Sequence, residues 1–569
     1  MEPIIQFKNF SFQYIAQKKQ TLKDINLDIY PGEKVLICGS SGSGKSTLGN
    51  CLNGLIPNSY QGKIEGSLIV DGVDTSKSTI FDLSSHIGTV LQDPDGQFVG
   101  LTVAEDIAFS LENNCVEQKR MIKDVNRVAS IVNINNRLSN SPQELSGGQK
   151  QRVSLAGVIV DNVKILLFDE PLANLDPKTG KSTIELIDEI QKETNTTVII
   201  IEHRLEDVLW KHVDRIIMID DGKVVEDLKP NDLLSQNILA KHGIREPLYI
   251  TACKYAGMKI TPDKKPEHIN DIVINNEDKK LIQKWYENAD KKNKTNNNDV
   301  ILEVKDVHFS YKKDYEILHG ISFAIKKGEM ISIVGENGAG KSTTAKIVCG
   351  FEELKDGQIF YKGNDITNES IRERAKHIGY VMQNPNQMIS ETMIFDEVAM
   401  GIKNIGLSEE EITNKVYDTL KVCGLYEFRN WPISALSFGQ KKRVTIASVL
   451  VMGPEIIILD EPTAGQDFYH YTEIMEFLRK LNLEGITVIM ITHDMHLMLE
   501  YTKRALVFVD GRLVEDKTSS EVLCDSELVN KAALKETSLF DLAKKCNIDN
   551  PVGFVDCFIN HDEKVRNND

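Results

Sequence analysis

The chain has 569 residues, of which 41% are hydrophobic and 27% charged, the composition of an ordinary globular protein with room for several domains. Its net charge of −17 argues against nucleic acid as a partner, because binding a phosphate backbone requires a basic face. The nine cysteines include no CxxC pair, so a reducing cytoplasm is expected, without disulfides or a zinc ribbon. The apolar runs are too short for a membrane span, and the N-terminal sequence MEPIIQFKNF lacks the pattern of a secretion signal.

The first predicted elements are a strand, a glycine-rich turn and the start of a helix, in VLICGSSGSGKST at 35–47. The pattern GxxxxGK[ST] needs glycines so that the backbone can approach phosphate groups and point N–H groups at them, and the helix N-terminus adds its dipole. Lys45 is expected to reach the β- and γ-phosphates, and the Ser46 hydroxyl is expected to bind Mg²⁺. The residues of this loop that are predicted to bind nucleotide are Gly39, Ser40, Ser41, Gly42, Ser43, Gly44, Lys45, Ser46 and Thr47.

A later apolar strand ends in two carboxylates. ILLF at 165–168 is followed by Asp169 and Glu170. A carboxylate at the C-terminal end of such a strand lies beside the phosphates, so Asp169 is predicted to hold the water shell of Mg²⁺. Glu170 is predicted to orient and polarise the attacking water as a general base.

The second half of the chain repeats the first, as in a tandem duplication. Lys341 and Ser342 stand where Lys45 and Ser46 stand, and Asp460 and Glu461 again follow an apolar strand. Further matched pairs are VLQDPDGQF at 90–98 with VMQNPNQM at 381–388, LSGGQKQRV at 145–153 with LSFGQKKRV at 436–444, and VIIIEH at 198–203 with VIMITH at 488–493. The second loop predicted to bind nucleotide comprises Gly335, Glu336, Asn337, Gly338, Ala339, Gly340, Lys341, Ser342 and Thr343.

The chain is predicted to divide into two α/β domains at 1–240 and 300–540. In each half, strand-length apolar runs alternate with helices, which is typical of a mostly parallel sheet buried by helices. Residues 241–299 are predicted to be a linker, because their second part is rich in Asn and ends in KKNKTNNND. Residues 541–569 are predicted to be a loosely held C-terminal tail.

The order of phosphate loop, Gln loop, LSGGQ, Asp-Glu and His resembles the ATP-binding-cassette (ABC) ATPases over almost the whole chain, twice. The resemblance implies two tandem P-loop NTPase domains, each with a mostly parallel sheet core, a small antiparallel subdomain and a helical signature subdomain. In that family two cassettes pair head to tail, and each ATP lies between one phosphate loop and the other cassette's LSGGQ signature. One chain that carries both cassettes would therefore complete both ATP sites.

The same resemblance implies roles for further residues. Tyr14 and Tyr311 would stack on adenine, and Asp176 and Asp467 fit the loop that communicates between sites. The implied catalytic residues are Glu170, Glu461, His203, His493, Gln92 and Gln383, with the histidines at the γ-phosphate. The implied Mg²⁺ ligands are Ser46, Gln92, Asp169, Ser342, Gln383 and Asp460. The signature residues implied to bind ATP are Ser146, Gly147, Gly148, Gln149, Ser437, Gly439 and Gln440.

The two signatures differ at one position. Phe438 stands in LSFGQ where Gly147 stands in LSGGQ. A glycine lets the backbone approach phosphate and adopts positive φ, and Phe does neither easily. We expect the ATP on Lys341, closed by Ser146 and Gly148, to be hydrolysed faster than the ATP on Lys45, closed by Ser437.

The segments that follow the two Gln loops indicate what work the ATPase drives. QDPDGQFVGLTVAEDIAFSLEN at 92–113 and QNPNQMISETMIFDEVAMGI at 383–402 resemble the ATPases of energy-coupling factor (ECF-type) importers, in which this segment docks a membrane subunit. The resemblance implies a peripheral protein on the cytoplasmic face of the membrane, with a membrane-embedded coupling subunit and a small membrane subunit that captures a vitamin, a vitamin precursor or a metal ion. Asp93 and Asp95 are expected to pair with cationic residues of the coupling subunit.

Two alternative functions remain open at this point. A two-cassette translation factor acting on ribosomes would carry a basic arm between the cassettes, whereas 261–299 is neutral. A fused sugar-importer ATPase would share the transport class but not the segment that begins QDPDGQF.

Overall fold

The computed structural model describes residues 2–92, 96–173, 175–289, 299–312, 315–403 and 405–568. The chain forms two compact units. The first comprises residues up to Glu287 together with the short segments Asp467–Tyr469 and Lys544–Asn547, and the second comprises the remainder. Asp93 and Asp95, which we expect to contact a partner, lie outside the described residues.

The strands of the first unit form two sheets. In chain order they are β1 (Ile5–Tyr14), β2 (Leu22–Ile29), β3 (Lys34–Cys38), β4 (Gly62–Val70), β5 (Val73–Asp74), β6 (Ile87–Val90), β7 (Ile165–Asp169), β8 (Thr197–Ile201), β9 (Arg215–Asp220) and β10 (Lys223–Leu228). A four-stranded antiparallel sheet has the order β2-β1-β4-β5. A six-stranded sheet has the order β10-β9-β3-β8-β7-β6, and all its neighbours are parallel except the β9–β10 pair at one edge.

The six-stranded sheet is buried on both faces, as a parallel sheet requires. Alternate residues of one strand enter different cores: Ile37 packs with the antiparallel sheet, whereas Leu36 packs with the helices. The central strands β3 and β8 are buried at every position. The near-continuous apolar sequences of β3 and β8 therefore indicate that these strands lie at the centre of the sheet.

The helices of the first unit are α1 (Lys45–Leu52), α2 (Leu55–Asn58), α3 (Ile80–Ser84), α4 (Val103–Asn113), α5 (Gln118–Ile131), α6 (Gly147–Ile159), α7 (Pro177–Thr194), α8 (Leu205–Val208), α9 (Pro230–Leu234), α10 (Leu248–Tyr255) and α11 (Asn276–Asn288). Helices α4, α5 and α6 pack on one another and form the helical part that carries the LSGGQ signature.

The second unit repeats this architecture. Its strands are β11 (Val300–Lys312), β12 (Tyr315–Lys326), β13 (Met330–Gly335), β14 (Asp356–Tyr361), β15 (Asn364–Asp365), β16 (Ile378–Val381), β17 (Ile456–Asp460), β18 (Thr487–Ile491), β19 (Arg504–Val509) and β20 (Arg512–Thr518). The antiparallel sheet has the order β12-β11-β14-β15 and the larger sheet the order β16-β17-β18-β13-β19-β20. Both orders are those of the first unit, so the predicted fold class of two tandem α/β cassettes is confirmed.

The helices of the second unit are α12 (Lys341–Val348), α13 (Ile371–Arg374), α14 (Ile394–Ala399), α15 (Glu409–Val422), α16 (Phe438–Leu450), α17 (Phe468–Leu483), α18 (Met495–Tyr501), α19 (Ser519–Leu523), α20 (Ser526–Lys531), α21 (Ser538–Lys545) and α22 (Pro551–Asn568). Helices α14, α15 and α16 form the second signature-bearing group. No helix in the described ranges is long and apolar enough to cross a membrane.

The segment 241–299, predicted as a linker, is folded over most of its described length. It contains α10 and α11, and the side chains of Tyr249 and Ile282 are buried. The Tyr249 hydroxyl donates a hydrogen bond of 2.6 Å to the carbonyl of Pro266. The Asn-rich composition that suggested a linker is concentrated near 290–298, which lie outside the described residues, while the apolar residues before them build a small core. The predicted boundaries themselves stay a prediction.

The prediction of a loosely held tail at 541–569 is wrong. Helix α22 buries Phe554, Val555 and Phe558, and it packs against α18 and α19 of the second unit. These residues recur at helical spacing, which places them on one face of α22. The tail was predicted from the polar C-terminal residues DEKVRNND, although an apolar stripe precedes them.

Candidate functional site

The phosphate loop of the first unit connects β3 to α1 and has the backbone that phosphate binding requires. Gly42 and Gly44 adopt left-handed φ angles of 75° and 109°, which glycine adopts without strain. Lys45 is buried at the start of α1, and its ammonium donates hydrogen bonds to the carbonyls of Gly39 (2.9 Å) and Ser40 (2.8 Å). Burial lowers the pKa of Lys45, an effect that the nearby Glu170 opposes. The buried ammonium of Lys45 therefore lies at the base of the phosphate loop.

Two carboxylates lie next to this loop at the end of β7. Asp169 ends the strand, and Glu170 takes a left-handed φ of 49° while its N–H donates to the Ile201 carbonyl of β8. Burial, followed by the charges of Glu202 and Asp169, raises the pKa of Glu170 to about 7. A carboxylate with this pKa is suited to accept a proton from water near neutral pH.

Gln92 contacts the predicted general base directly. Its side-chain Nε2 donates a hydrogen bond of 2.8 Å to Glu170 Oε2. The Gln loop and the carboxylate pair, which are far apart in the sequence, thus meet at the carboxyl-terminal ends of the neighbouring parallel strands β6 and β7.

His203 lies near Glu170 in the first unit, two residues beyond the end of β8. Its Nδ1 lies 3.2 Å from Glu202 Oε2 and 4.0 Å from Glu170 Oε1. Burial lowers the pKa of the imidazole, and the charge of Glu202 opposes that shift. Glu202 itself was not among the predicted site residues.

The first site fits a nucleoside triphosphate with a hydrated divalent cation. The buried atoms Ser43 Oγ and Asp169 Oδ1 have no hydrogen-bond partner in the described ranges. Both atoms can therefore bond a group from outside the chain. Hydroxyl, carboxylate and amide oxygens are the ligands that Mg²⁺ prefers, and Ser46, Asp169 and Gln92 offer one of each.

The second unit brings the matching residues together. Lys341 is buried, and its ammonium donates to the carbonyls of Gly335 (2.9 Å) and Glu336 (2.7 Å). Glu461 has a left-handed φ of 44°, and its Oε1 lies 3.5 Å from Nε2 of His493. The loop glycines Gly338 and Gly340 also have positive φ.

The second site differs from the first around its carboxylates. The Tyr380 hydroxyl donates a hydrogen bond of 2.9 Å to Asp460 Oδ2. Lys442, buried in α16, donates to the carbonyls of Met382 (2.7 Å) and Gln383 (2.9 Å). Burial lowers the pKa of Lys442 to about 8, and the charges of Asp460 and Glu461 oppose that shift.

Sequence analysis did not select Glu202, Tyr380 or Lys442. Each stands where the two repeats differ: Glu202 faces Thr492 in the alignment, Tyr380 faces Thr89, and Lys442 faces Gln151. A comparison of the repeats that looked for differences as well as identities would have indicated them.

The two signatures begin helices and have the same local geometry. Ser146 caps α6, with a capping box to Gln149, and Ser437 caps α16 with a capping box to Gln440. Gly148 is required by close packing, since a Cβ there would lie 2.4 Å from Thr179 Cγ2.

The part of our argument for Gly147 that rests on positive φ is wrong. Gly147 has the ordinary helical backbone of the first residue of α6, not a positive φ. Among the residues that the structure describes, a Cβ there would meet only Leu175 Cδ2, at 3.9 Å. Phe438 takes the same place in α16 with 42% of its surface exposed. The remaining difference between the two signatures is therefore the bulk of the phenyl ring in front of the helix N-terminus.

The structure describes the residues predicted at the adenine and at the communicating loop. The Tyr14 hydroxyl lies 3.2 Å from Thr47 Oγ1, at the phosphate helix, and Tyr311 is half exposed. Asp176 caps α7. Asp467, in a segment that clusters with the first unit, accepts a hydrogen bond from the backbone N–H of Ser41 in the phosphate loop. Their roles toward a nucleotide stay predictions.

Comparison with known proteins gives matches over the whole chain. A family model of ABC transporters matches residues 22–173 and 318–464, and a second model, described as an ATP-binding cassette cobalt transporter, matches residues 236–309. A protein of Clostridium perfringens (strain 13 / Type A) named as an ABC transporter ATP-binding protein is 58% identical over 564 residues, 99% of each chain. A protein of Enterococcus faecalis with the same description is 56% identical over 570 residues, again 99% of each chain.

Solved structures match single cassettes. The structure of cbiO1 from Clostridium perfringens, described as part of the ABC transporter complex cbiONQ, is 37% identical. It covers 41% of this chain and 94% of its own, with a TM-score of 0.38.

Proposed function

The chain belongs to the ABC transporter ATP-binding proteins, whose cassettes hydrolyse ATP, and on that premise we propose that it is the motor subunit of an ECF-type importer. Its cargo would be a vitamin, a vitamin precursor or a metal ion, captured by a small membrane subunit and passed through a separate membrane-embedded coupling subunit. The chain itself would lie peripherally on the cytoplasmic face. The match of residues 236–309 to the cobalt-transporter family model supports this class of importer.

The observation that carries the proposal is an exposed apolar segment tied to the catalytic group. After Gln92, which contacts Glu170, the chain exposes Val99 at 63% and Leu101 at 83% of their surface. The segment is held in place because Asp106 of α4 accepts hydrogen bonds from the N–H groups of Val99 (2.8 Å) and Gly100 (3.0 Å). Exposed apolar side chains on a fixed backbone are suited to dock a partner.

We propose the following roles for the residues of the first ATP site. The loop N–H groups and Lys45 bind the phosphates, and Glu170 accepts a proton from the attacking water that Gln92 helps to orient. His203 contacts the γ-phosphate. Bound Mg²⁺ would neutralise phosphate charge, and Ser46, Asp169 and Gln92 would hold it. Lys341, Glu461, Gln383 and His493 would act in the same way at the second site, with Ser342, Asp460 and Gln383 at Mg²⁺.

We further propose that the two cassettes pair head to tail, so that Ser437 serves the ATP on Lys45 and Ser146 the ATP on Lys341. ATP binding would close the pair, and hydrolysis with product release would open it. The family resemblance supports this arrangement.

The test is affinity purification of the tagged chain from gently solubilised cells, with identification of the bound proteins. Recovery of a polytopic membrane protein together with a small, very hydrophobic one is expected. Leu101→Asp should lower that recovery about tenfold, since it places a charge in an apolar contact, while basal ATPase stays within about twofold. Leu483→Asp is the matched control, because Leu483 is 76% exposed but distant in sequence from both Gln loops.

Recovery of ribosomes without membrane proteins would contradict the importer and favour a translation factor. Equal recovery with wild type and Leu101→Asp would leave the importer standing and reject the segment 99–101 as its docking surface.

A further inference from the structure

The residue before the predicted γ-phosphate histidine differs between the two sites. It is Glu202 in the first unit and Thr492 in the second. In the first unit the sheet places Glu202 between the two catalytic strands: its N–H donates to the Ile37 carbonyl of β3, while Glu170 of the neighbouring strand donates to Ile201. A third carboxylate thus lies between the phosphate loop and the pair Asp169 and Glu170.

The side chain of Glu202 contacts His203, and its Oε2 also accepts a hydrogen bond of 3.4 Å from the N–H of Arg204. Its side chain is 1% exposed, and Oε2 accepts a hydrogen bond of 2.6 Å from the backbone N–H of His203. The same oxygen lies 3.2 Å from the ring Nδ1. Oε1 is buried and has no hydrogen-bond partner in the described part of the chain. One carboxylate oxygen therefore accepts a hydrogen bond from the backbone of His203 and also lies close to its ring.

In the second unit a threonine, not a carboxylate, stands before the histidine. Thr492 is buried, and its Oγ1 accepts a hydrogen bond of 2.9 Å from the N–H of Asp494. His493 there faces Glu461 with its Nε2 edge, at 3.5 Å, whereas His203 faces Glu170 with its Nδ1 edge, at 4.0 Å. Because a neutral threonine suffices for the turn, the turn does not explain why the first unit buries a charge at this position.

We propose that Glu202 is a positioning residue of the first ATP site, which holds the Nδ1 edge of His203 and turns Nε2 toward the nucleotide. A carboxylate at Nδ1 keeps the proton on that nitrogen and supports the imidazolium form, as the third member of a catalytic triad does for its histidine. In the second unit Thr492 stands at the position of Glu202. The inference rests on the proposed contact of His203 with the γ-phosphate and not on the identity of the cargo.

A double-mutant cycle tests whether Glu202 acts through His203. Glu202→Gln, His203→Ala and the double variant are compared for kcat and KM of ATP hydrolysis in the full chain carrying Glu461→Gln, so that hydrolysis at the first site is measured. Glu202→Gln is expected to lower kcat about tenfold and to change KM less than about twofold, because ring orientation matters mainly in the transition state. In the His203→Ala background the same change should have less than about a twofold effect.

The matched control is the corresponding cycle in the second unit. Thr492→Val and His493→Ala should be additive, because the threonine hydroxyl bonds Asp494 rather than the imidazole. Glu202→Thr places the second unit's own residue in the first and should lower kcat as Glu202→Gln does, so the test stands even where one variant fails to fold.

Two results would overturn the inference. A kcat within about twofold of the Glu461→Gln parent for both Glu202 variants would show that the carboxylate is dispensable. Equal losses from Glu202→Gln with and without His203 would mean that Glu202 acts on stability or on another group. If His203→Ala alone leaves kcat unchanged, both the inference and the proposed role of His203 fail, whereas the importer proposal is untouched.

Discussion

At the scale of single residues, the two ATP sites share their main groups and differ in the residues around them. Lys45 and Lys341 bond the same pair of loop carbonyls in each unit. Phe438, however, projects where Gly147 leaves the start of the signature helix open. Since both residues fit a helical backbone, any kinetic difference has to come from the exposed phenyl ring and not from strain.

We predict that Glu461→Gln lowers steady-state ATPase more than Glu170→Gln, with at least about a threefold difference in residual kcat. The ATP on Lys341 would be closed by the open LSGGQ signature, and the ATP on Lys45 by LSFGQ with its phenyl ring. Phe438→Gly should reduce the difference.

Steady-state rates alone do not separate two slow sites from strict cooperativity, so single-turnover hydrolysis is measured as well. Equal residual rates for the two variants in both experiments would contradict the predicted asymmetry.

At the scale of elements, the segment 241–299 is attached to the first unit by specific polar contacts. Glu267 Oε1 lies 2.7 Å from Nδ1 of His212, and the N–H of Glu267 donates to Asn231 Oδ1 at 2.9 Å. Asp214 lies on the other side of the His212 ring, 3.7 Å from Nε2. Asp214 and Glu267 raise the pKa of His212 from 6.5 to about 10.

We predict a pH-dependent contribution of His212 to stability. Because its pKa is raised in the folded chain, the protonated ring favours folding; the contribution is complete below pH 6.5 and is lost as the pH rises through about 10. His212→Gln should therefore lower the free energy of unfolding at pH 6 by less than about 1 kcal/mol, since the ring is exposed and screened by solvent.

The measurement is urea unfolding of wild type and His212→Gln from pH 6 to pH 10.5. The difference should shrink at the alkaline end, and Glu267→Gln should remove most of it at pH 6. A difference that is constant over this range would contradict the ion pair as its cause.

At the scale of the whole molecule, each unit contains a complete phosphate loop, carboxylate pair, Gln loop and histidine. The sheet order is the same in both units, so each places these groups at the same edge of its parallel sheet. The chain is therefore expected to bind nucleotide at two places, independently of which membrane partner it serves.

We predict two molecules of ATP bound per chain, measured by equilibrium dialysis of the Glu170→Gln, Glu461→Gln double variant, which binds without turnover. Adding Lys45→Ala or Lys341→Ala should remove one of the two, because each deletes the buried ammonium at the base of one loop. A stoichiometry of one in the unaltered double variant would contradict two functional sites.

The sequence by itself determined the duplication, the fold class and the residues of both phosphate loops, because these depend on short local patterns: a glycine-rich turn between a strand and a helix, and apolar runs of strand length. Only the tertiary structure decided that the described parts of 241–299 and 541–569 are folded. Burial of Phe558, for example, depends on the packing of α22 against α18 and α19, which the sequence of the tail does not show.

The same distinction holds within the site. Gln92 and Glu170 meet because the parallel sheet brings the ends of β6 and β7 together, which family resemblance implied but local sequence could not show. The contact of Glu202 with His203 depends on the backbone turn beyond β8 and on the side-chain rotamers there. The backbone at Gly147 likewise depends on where α6 begins. Sequence patterns name residue types, whereas the packed fold sets their distances, burial and partners.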